Sequence, residues 1–347
     1  MRRSVLLLAG ALLIPAFMAF AGGQKEAPAQ KTTPAQSSTS SQPAAKPLRV
    51  AAIYATPIEE PWDGAIHTAL LKAQKDLGIQ YKWAENVGYS DFERVLREYA
   101  DQGYNIIFGD AFGSEDAVRR VAKDYPNIAF VFGSGGGPQN PNLSVFDDWI
   151  QEPAYLCGMI AGKITKSNVV GVVGGLPVPE VNRIINAYID GANSVNKKVQ
   201  VKVAFIGSWF DPPKAKEAAL SQIEQGADVL FAERYGVIDA AKSKGVLAFG
   251  SLQDQHSLAP NTVITSPVWN VYPIVQHVIE EVKKNDYQAQ DLKDWSMMAK
   301  GGASLAPFYE FKNKLPSSVL DMVAKKEQDI KSGLFRVPID ESQPKSD

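Results

Sequence analysis

At 347 residues the chain is long enough for two medium α/β lobes, since single cores usually stop growing below about 250 to 300 residues. Lys and Arg number 36 against 38 Asp and Glu, a formal charge of −2, so neither a nucleic-acid partner nor a polybasic membrane patch is expected, and the ligand class left is a small molecule. The lone cysteine, Cys157 in AYLCGMIAG, excludes an internal disulfide and a multi-cysteine metal site, and its apolar, small neighbours make it a core residue.

The chain opens with MRRSVLLLAGALLIPAFMAFA. Arg2 and Arg3, a short apolar run and the small-x-small end Ala19-Phe20-Ala21 predict a signal peptide over residues 1–21. An uncleaved anchor is the alternative, although the run is short for a span of about 20 residues. No cysteine follows to make a lipobox, so the expectation is a secreted protein, periplasmic or associated with the cell surface. Residues 22–46 are rich in Pro, Gln, Ser and Thr with no large apolar side chain, which predicts a flexible tether.

From LRVAAIY onward, short β-branched or aromatic runs alternate with helical periods. Strands are predicted at Arg49 to Tyr54, Gln80 to Glu85, Ile106 to Asp110, Ile128 to Gly133, Val169 to Val173, Val199 to Ile206, Asp228 to Ala232, Val246 to Gly250 and Thr262 to Ser266. Ile66, Leu70, Ala73 and Leu77 mark one helical face, and Phe92, Val95, Leu96 and Tyr99 another. The βαβα rhythm predicts an α/β fold of two doubly wound parallel sheets, with a seam near Gly162 to Gly171. In such sheets ligands bind beyond the carboxyl ends of the strands, so the strand exits are the places to search.

GSGGG at Gly133 to Gly137 runs into PQNPN instead of a helix, which argues against a dinucleotide fingerprint, and VVGGLPVPEVNR lacks the lysine of a P-loop. His67, His256 and His277 are far apart, and no nucleophile–base constellation or metal spacing is visible. A binding protein with no cofactor, no metal and no catalytic residue is expected. What recurs at the exits is an aromatic beside an acid: Trp62 and Asp63, Asp110 and Phe112, Trp209 and Asp211, Glu233 and Tyr235. Rings stack on a planar ligand and carboxylates accept its N–H or O–H groups. Local physics competes for some of these. Asp211 before Pro212 and Pro213 reads equally as a helix cap, and Phe210 as core support for that helix start. Capping does not require Trp209.

The stretch EPAYLCGMIAGKITKSNVVGVVGGLPVPEVNRIINAYIDGANSVN, with GSWFDPPKAKEAALSQIEQGADVLF after it, resembles the BMP family, the PnrA-like basic membrane lipoproteins that serve ABC importers as substrate-binding proteins. The resemblance runs from about Leu48 to Pro338. It implies a type I periplasmic-binding-protein fold whose two lobes close on a purine nucleoside and pass it to a permease, and a monomer is expected. The implied lobes are 47–164 with about 270–290, and 165–269 with about 291–340. Carried onto this chain, the resemblance puts Trp62 and Trp209 on the two faces of the base. Asp110 and Glu233 become polar contacts, and Asp254 matches the acid at the last cleft strand. Nucleoside-binding members have a lysine where this chain has TSPVWN and offers Trp269, so a bare base such as adenine is as plausible a ligand as adenosine. A sugar-binding or ligand-sensing protein on the same fold, and a secreted nucleoside hydrolase, are the alternatives.

Overall fold

The apolar, β-branched runs form strands buried on both faces, as a parallel sheet covered by helices on either side demands. The computed structural model describes residues 46–347; the signal-peptide reading and the tether reading up to residue 45 lie outside the described residues. The first half comprises β1 (Arg49–Ile53), α1 (Pro61–Leu77), β2 (Gln80–Ala84), α2 (Tyr89–Asp101), β3 (Ile106–Asp110), α3 (Glu115–Asp124), β4 (Ala129–Gly133) and β5 (Leu143–Phe146). Its sheet has the order β2-β1-β3-β4-β5, parallel throughout. Alternation along β1 sends Val50, Ala52 and Tyr54 into one core and Ala51 and Ile53 into the other.

The second half runs α4 (Gln151–Ile164), β6 (Val169–Gly174), α5 (Pro179–Val195), β7 (Gln200–Phe205), α6 (Pro212–Glu224), β8 (Val229–Ala232), α7 (Val237–Lys244) and β9 (Leu247–Phe249). Its sheet order is β7-β6-β8-β9, again parallel. The chain then forms β10 (Pro267–Trp269), α8 (Tyr272–Lys283), β11 (Ala303–Leu305), α9 (Phe311–Lys314) and α10 (Ser317–Lys331), with β10 and β11 paired antiparallel. No helix among the described residues is long and apolar enough to cross a membrane.

Four elements differ from the sequence expectation. Thr262 to Ser266 is not a strand: it runs beside β9 with only the Val263–Ala248 bridge, and the paired strand begins at Pro267. The short strands β5 and β11 carried no sequence signal of their own. Packing also places α4 with the second sheet. Gly158 lets α4 lie against α5 so closely that a Cβ there would stand 2.0 Å from the Tyr188 carbonyl oxygen. By packing, then, the chain leaves the first half before α4, ahead of the seam that the rhythm of the sequence marks. A 3-10 turn at Lys293–Ser296 packs back on β5, while α8 lies against α1.

Candidate functional site

In both sheets the strand order reverses beside the first strand of the half, between β1 and β3 and between β6 and β8. Loops leaving the strands there diverge and open a crevice. The two crevices face each other across one cavity of ≈ 440 Å³ counted out to the solvent at its mouth. The first half supplies Thr56, Glu60, Trp62 and Asp63 after β1, Tyr89 from α2, Asp110 and Phe112 after β3, and Ser134 after β4. The second supplies Glu180 at the start of α5, Trp209 after β7 and Arg234 after β8.

Local chemistry fixes the first wall. Glu60 is the N-cap of α1, accepting from the backbone N–H of Trp62 (2.8 Å) and Asp63 (3.1 Å), with Pro61 at the first helical position. Trp62 is thereby held against Phe146, at 6.0 Å between centroids and 15° between planes, and against Trp269 at 5.0 Å. Gly133 lies beneath it: a Cβ there would come within 2.0 Å of Trp62 Cη2. The opposite wall is built differently. β7 ends at Phe205, so Trp209 stands on an irregular turn and is only half-buried. The Arg234 guanidinium lies 5.3 Å from its ring centroid, and Phe112 meets it edge-on from the other lobe at 5.0 Å and 87°.

Between the walls the polar atoms are mostly acceptors. Asp63 accepts from the Thr56 N–H (3.1 Å) and hydroxyl through Oδ2, and its Oδ1 is buried without a partner, as is Oε1 of Glu180. Asp110 accepts the Phe112 N–H (2.9 Å). Burial pushes its carboxyl up to about 7, partly offset by that N–H and the Ser134 hydroxyl. Burial, with Asp147 and Glu233 nearby, raises Glu180 to about 8, and Asp63 is also raised, by burial and then by Glu60 and Asp110. Carboxyls raised this way hold a proton up to near-neutral pH, so each can offer an O–H to a ligand as well as an acceptor oxygen, and a ligand N–H donated to one favours its ionised form.

Of the residues expected at the site, Trp62, Asp63, Asp110, Phe112 and Trp209 line the cavity. Phe210 does not: it faces the outer groove beside Tyr89 and packs near Tyr235 at 6.1 Å. Asp211 is the N-cap of α6, accepting the Lys214 N–H at 3.1 Å. Glu233 is turned inward, accepting from the Gly175 N–H (2.9 Å) and from Arg234, so its neighbour Arg234 reaches the cavity in its place. Asp254 is exposed on another face and bonded to the Tyr309 hydroxyl. Trp269 supports Trp62 from behind, its Nε1 donating to Ser296 Oγ at 2.8 Å. The sequence search passed over Glu60, Tyr89, Ser134, Glu180 and Arg234. Glu60 and Arg234 form an ion pair at 3.0 Å across 174 residues, and Tyr89 sits at a helix start, where a search of strand exits does not look. Among the described residues no group of three or more His, Cys, Asp or Glu is placed to hold a metal ion.

Comparison with known proteins gives a consistent pattern. The family described as ABC transporter substrate-binding protein PnrA-like matches residues 49–340. A Haloferax volcanii protein named as a candidate ABC transporter glucose-binding protein is 33% identical over 75% of this chain, which spans 66% of it, just under two thirds. A purine-binding protein of Brucella abortus is 33% identical over 84% of this chain and 83% of its own length. Among solved structures, an ABC transporter solute-binding protein of Aeropyrum pernix matches with a TM-score of 0.72 at 21% identity, over 85% of this chain and 94% of that one.

Proposed function

The chain belongs to the PnrA-like family of ABC transporter substrate-binding proteins, and from that premise we propose that its cavity takes a purine, as the free base or the nucleoside, with adenine and adenosine preferred. The observation that carries the reading is the cavity's composition: indole faces of Trp62 and Trp209 together with carboxyl atoms of Asp63 and Glu180 that have no protein partner. A flat ring between the two tryptophans gains stacking on each face, and its rim N–H groups supply the missing donors. A carboxylate facing an exocyclic amine accepts from it, whereas a ring carbonyl in that place would bury acceptor against acceptor. The relative named as purine-binding supports this reading.

In this reading the protein works outside the cytoplasm as a monomer, binds without converting its ligand, and presents the closed lobes to a permease, which distinguishes loaded from empty protein by their different shapes. Asp110 and Glu180 select donors, and Phe112 and Tyr89 close the mouth.

A sugar is the second reading. The relative named for glucose favours it, and aromatic faces with carboxylates also suit sugar hydroxyls. One experiment separates them. The purified protein is denatured to release and identify any bound small molecule, and thermal shifts are measured with adenine, adenosine, guanosine, inosine and glucose. Shifts with adenine and adenosine exceeding those with inosine support the proposal; a recovered sugar with no purine, and no shift with any purine, overturns it. Mass analysis after incubation with adenosine and inosine tests the hydrolase alternative, since conversion to free base would establish it.

A further inference from the structure

Glu60 and Arg234 come from opposite lobes, one from the loop after β1 and the other from the loop after β8, and are 2% exposed each. Arg234 has every arm occupied. Its Nε donates to Glu233 Oε2 at 2.9 Å, its Nη2 to Glu233 Oε1, and its Nη1 to Glu60 Oε1 and to the Trp209 carbonyl, both at 3.0 Å. Glu60 spends its other oxygen on the backbone N–H groups of Trp62 and Asp63. The pair therefore joins the backbone of one tryptophan wall to the backbone of the other. Gln253 adds a second tie between the lobes, donating to the Pro61 carbonyl at 3.1 Å.

We propose that the Glu60–Arg234 ion pair is a latch that holds the two lobes together and sets how fast a bound ligand escapes, acting through the positions of Trp62 and Trp209. Parting the lobes breaks one bond of a buried network while Glu233 keeps Arg234 neutralised, so the network is complete only in the closed arrangement. Three features fit this role. The contact is directional and desolvated, and such pairs govern dissociation more than association. Arg234 also lies over Trp209, so losing its anchor frees that ring. Finally, Glu233, fixed by Gly175 as well as by Arg234, holds the guanidinium aimed at the cleft when Glu60 departs.

The proposal rests on the reading of the cavity as a closing ligand site, and its test has one arm that needs no ligand. Spin labels placed at Lys123→Cys on α3 and Lys216→Cys on α6, both exposed, report the distance between lobes in the unliganded protein; the native Cys157 is buried and escapes labelling. Glu60→Gln keeps the helix cap and removes the charge. Glu233→Gln with Arg234→Gln removes the guanidinium together with the carboxylate that neutralises it, and leaves Glu60 only its cap bonds to the Trp62 and Asp63 N–H groups. Glu60→Gln is expected to shift the distance distribution to longer values, and to do nothing further in the doubly substituted background. With adenine, stopped-flow mixing should show dissociation about tenfold faster in Glu60→Gln and association nearly unchanged. An unchanged distance distribution in Glu60→Gln, or the same increment in both backgrounds, overturns the latch. If no purine binds the parent protein, the functional reading fails, and the distance measurement still decides the latch.

Discussion

Trp62 and Trp209 stand at matching exits of the two lobes, yet one is built into a core and the other is not. Trp62 is 6% exposed, belongs to the main hydrophobic cluster, and is hemmed in by Phe146, Trp269 and the backbone of Gly133. Trp209 rests on a turn with an arginine over its face and a phenylalanine at its edge. The difference teaches that a binding wall can be made rigid by packing or placed by a polar network. The first kind stands inside the core; the second, partly buried at the core's edge, contributes less to folding.

The largest effect that would break this contrast is Trp62→Ala. Removing a packed indole should cost about 3–5 kcal/mol of stability, read by urea unfolding without ligand, and adenine binding should be lost with it. Trp209→Ala should instead weaken adenine binding by about 1–3 kcal/mol, the scale of a base stacked on an aromatic, while the ligand-free unfolding curve scarcely moves. Equal losses of stability in the two variants would show that both tryptophans are core, and would remove the distinction.

The sequence showed this division only in part. Eight of the predicted strands were legible, six of them because strands buried on both faces must be apolar, and the edge strands β2 and β7 from their alternation. The four-residue β5 and three-residue β11 are too short to show a period and lie outside the βαβα rhythm that placed the equally short β8 and β9. At the site, Trp62, Trp209 and Asp110 were legible as residues that a strand exit does not need for its own sake. Glu60, Glu180 and Arg234 were not, because what singles them out is a partner or a missing partner far along the chain. Arg234 was missed by one position: the acid beside it drew notice, and nothing in a sequence tells which of two adjacent side chains turns inward. Trp269 shows the converse, a ring that sequence position offers to the ligand and that packing assigns to the layer behind Trp62.

The helix starts beside the two tryptophans sharpen the comparison at smaller cost. Asp211 caps α6 on the Trp209 side as Glu60 caps α1 on the Trp62 side, but Asp211 has no bond across the cleft. Asp211→Ala should therefore lose about 1 kcal/mol of stability, the usual worth of a cap, and leave the dissociation rate of adenine where it was. A faster dissociation would mean that the position of Trp209 depends on its helix as well as on Arg234.

The last test concerns Asp110, which ends β3 and lies between the walls. Its carboxyl is raised from an ordinary 3.8 to about 7, chiefly by burial. Between those values the folded protein holds a proton that the unfolded chain has released. This group's contribution to stability is therefore complete below the unfolded value and is lost as pH rises through the folded one. Ligand binding runs the other way: an N–H donated to Asp110 favours the ionised form, so adenine affinity should rise over the same interval. Asp110→Asn keeps an acceptor for the Phe112 N–H and abolishes the titration. The difference in melting temperature between parent and variant, followed without ligand from about pH 5 to about pH 8, should fall as the pH rises, while the difference in adenine affinity climbs. Stability and affinity moving in the same direction would mean that the proton on Asp110 is donated to the ligand, and that the carboxyl selects an acceptor on the purine rather than an amine.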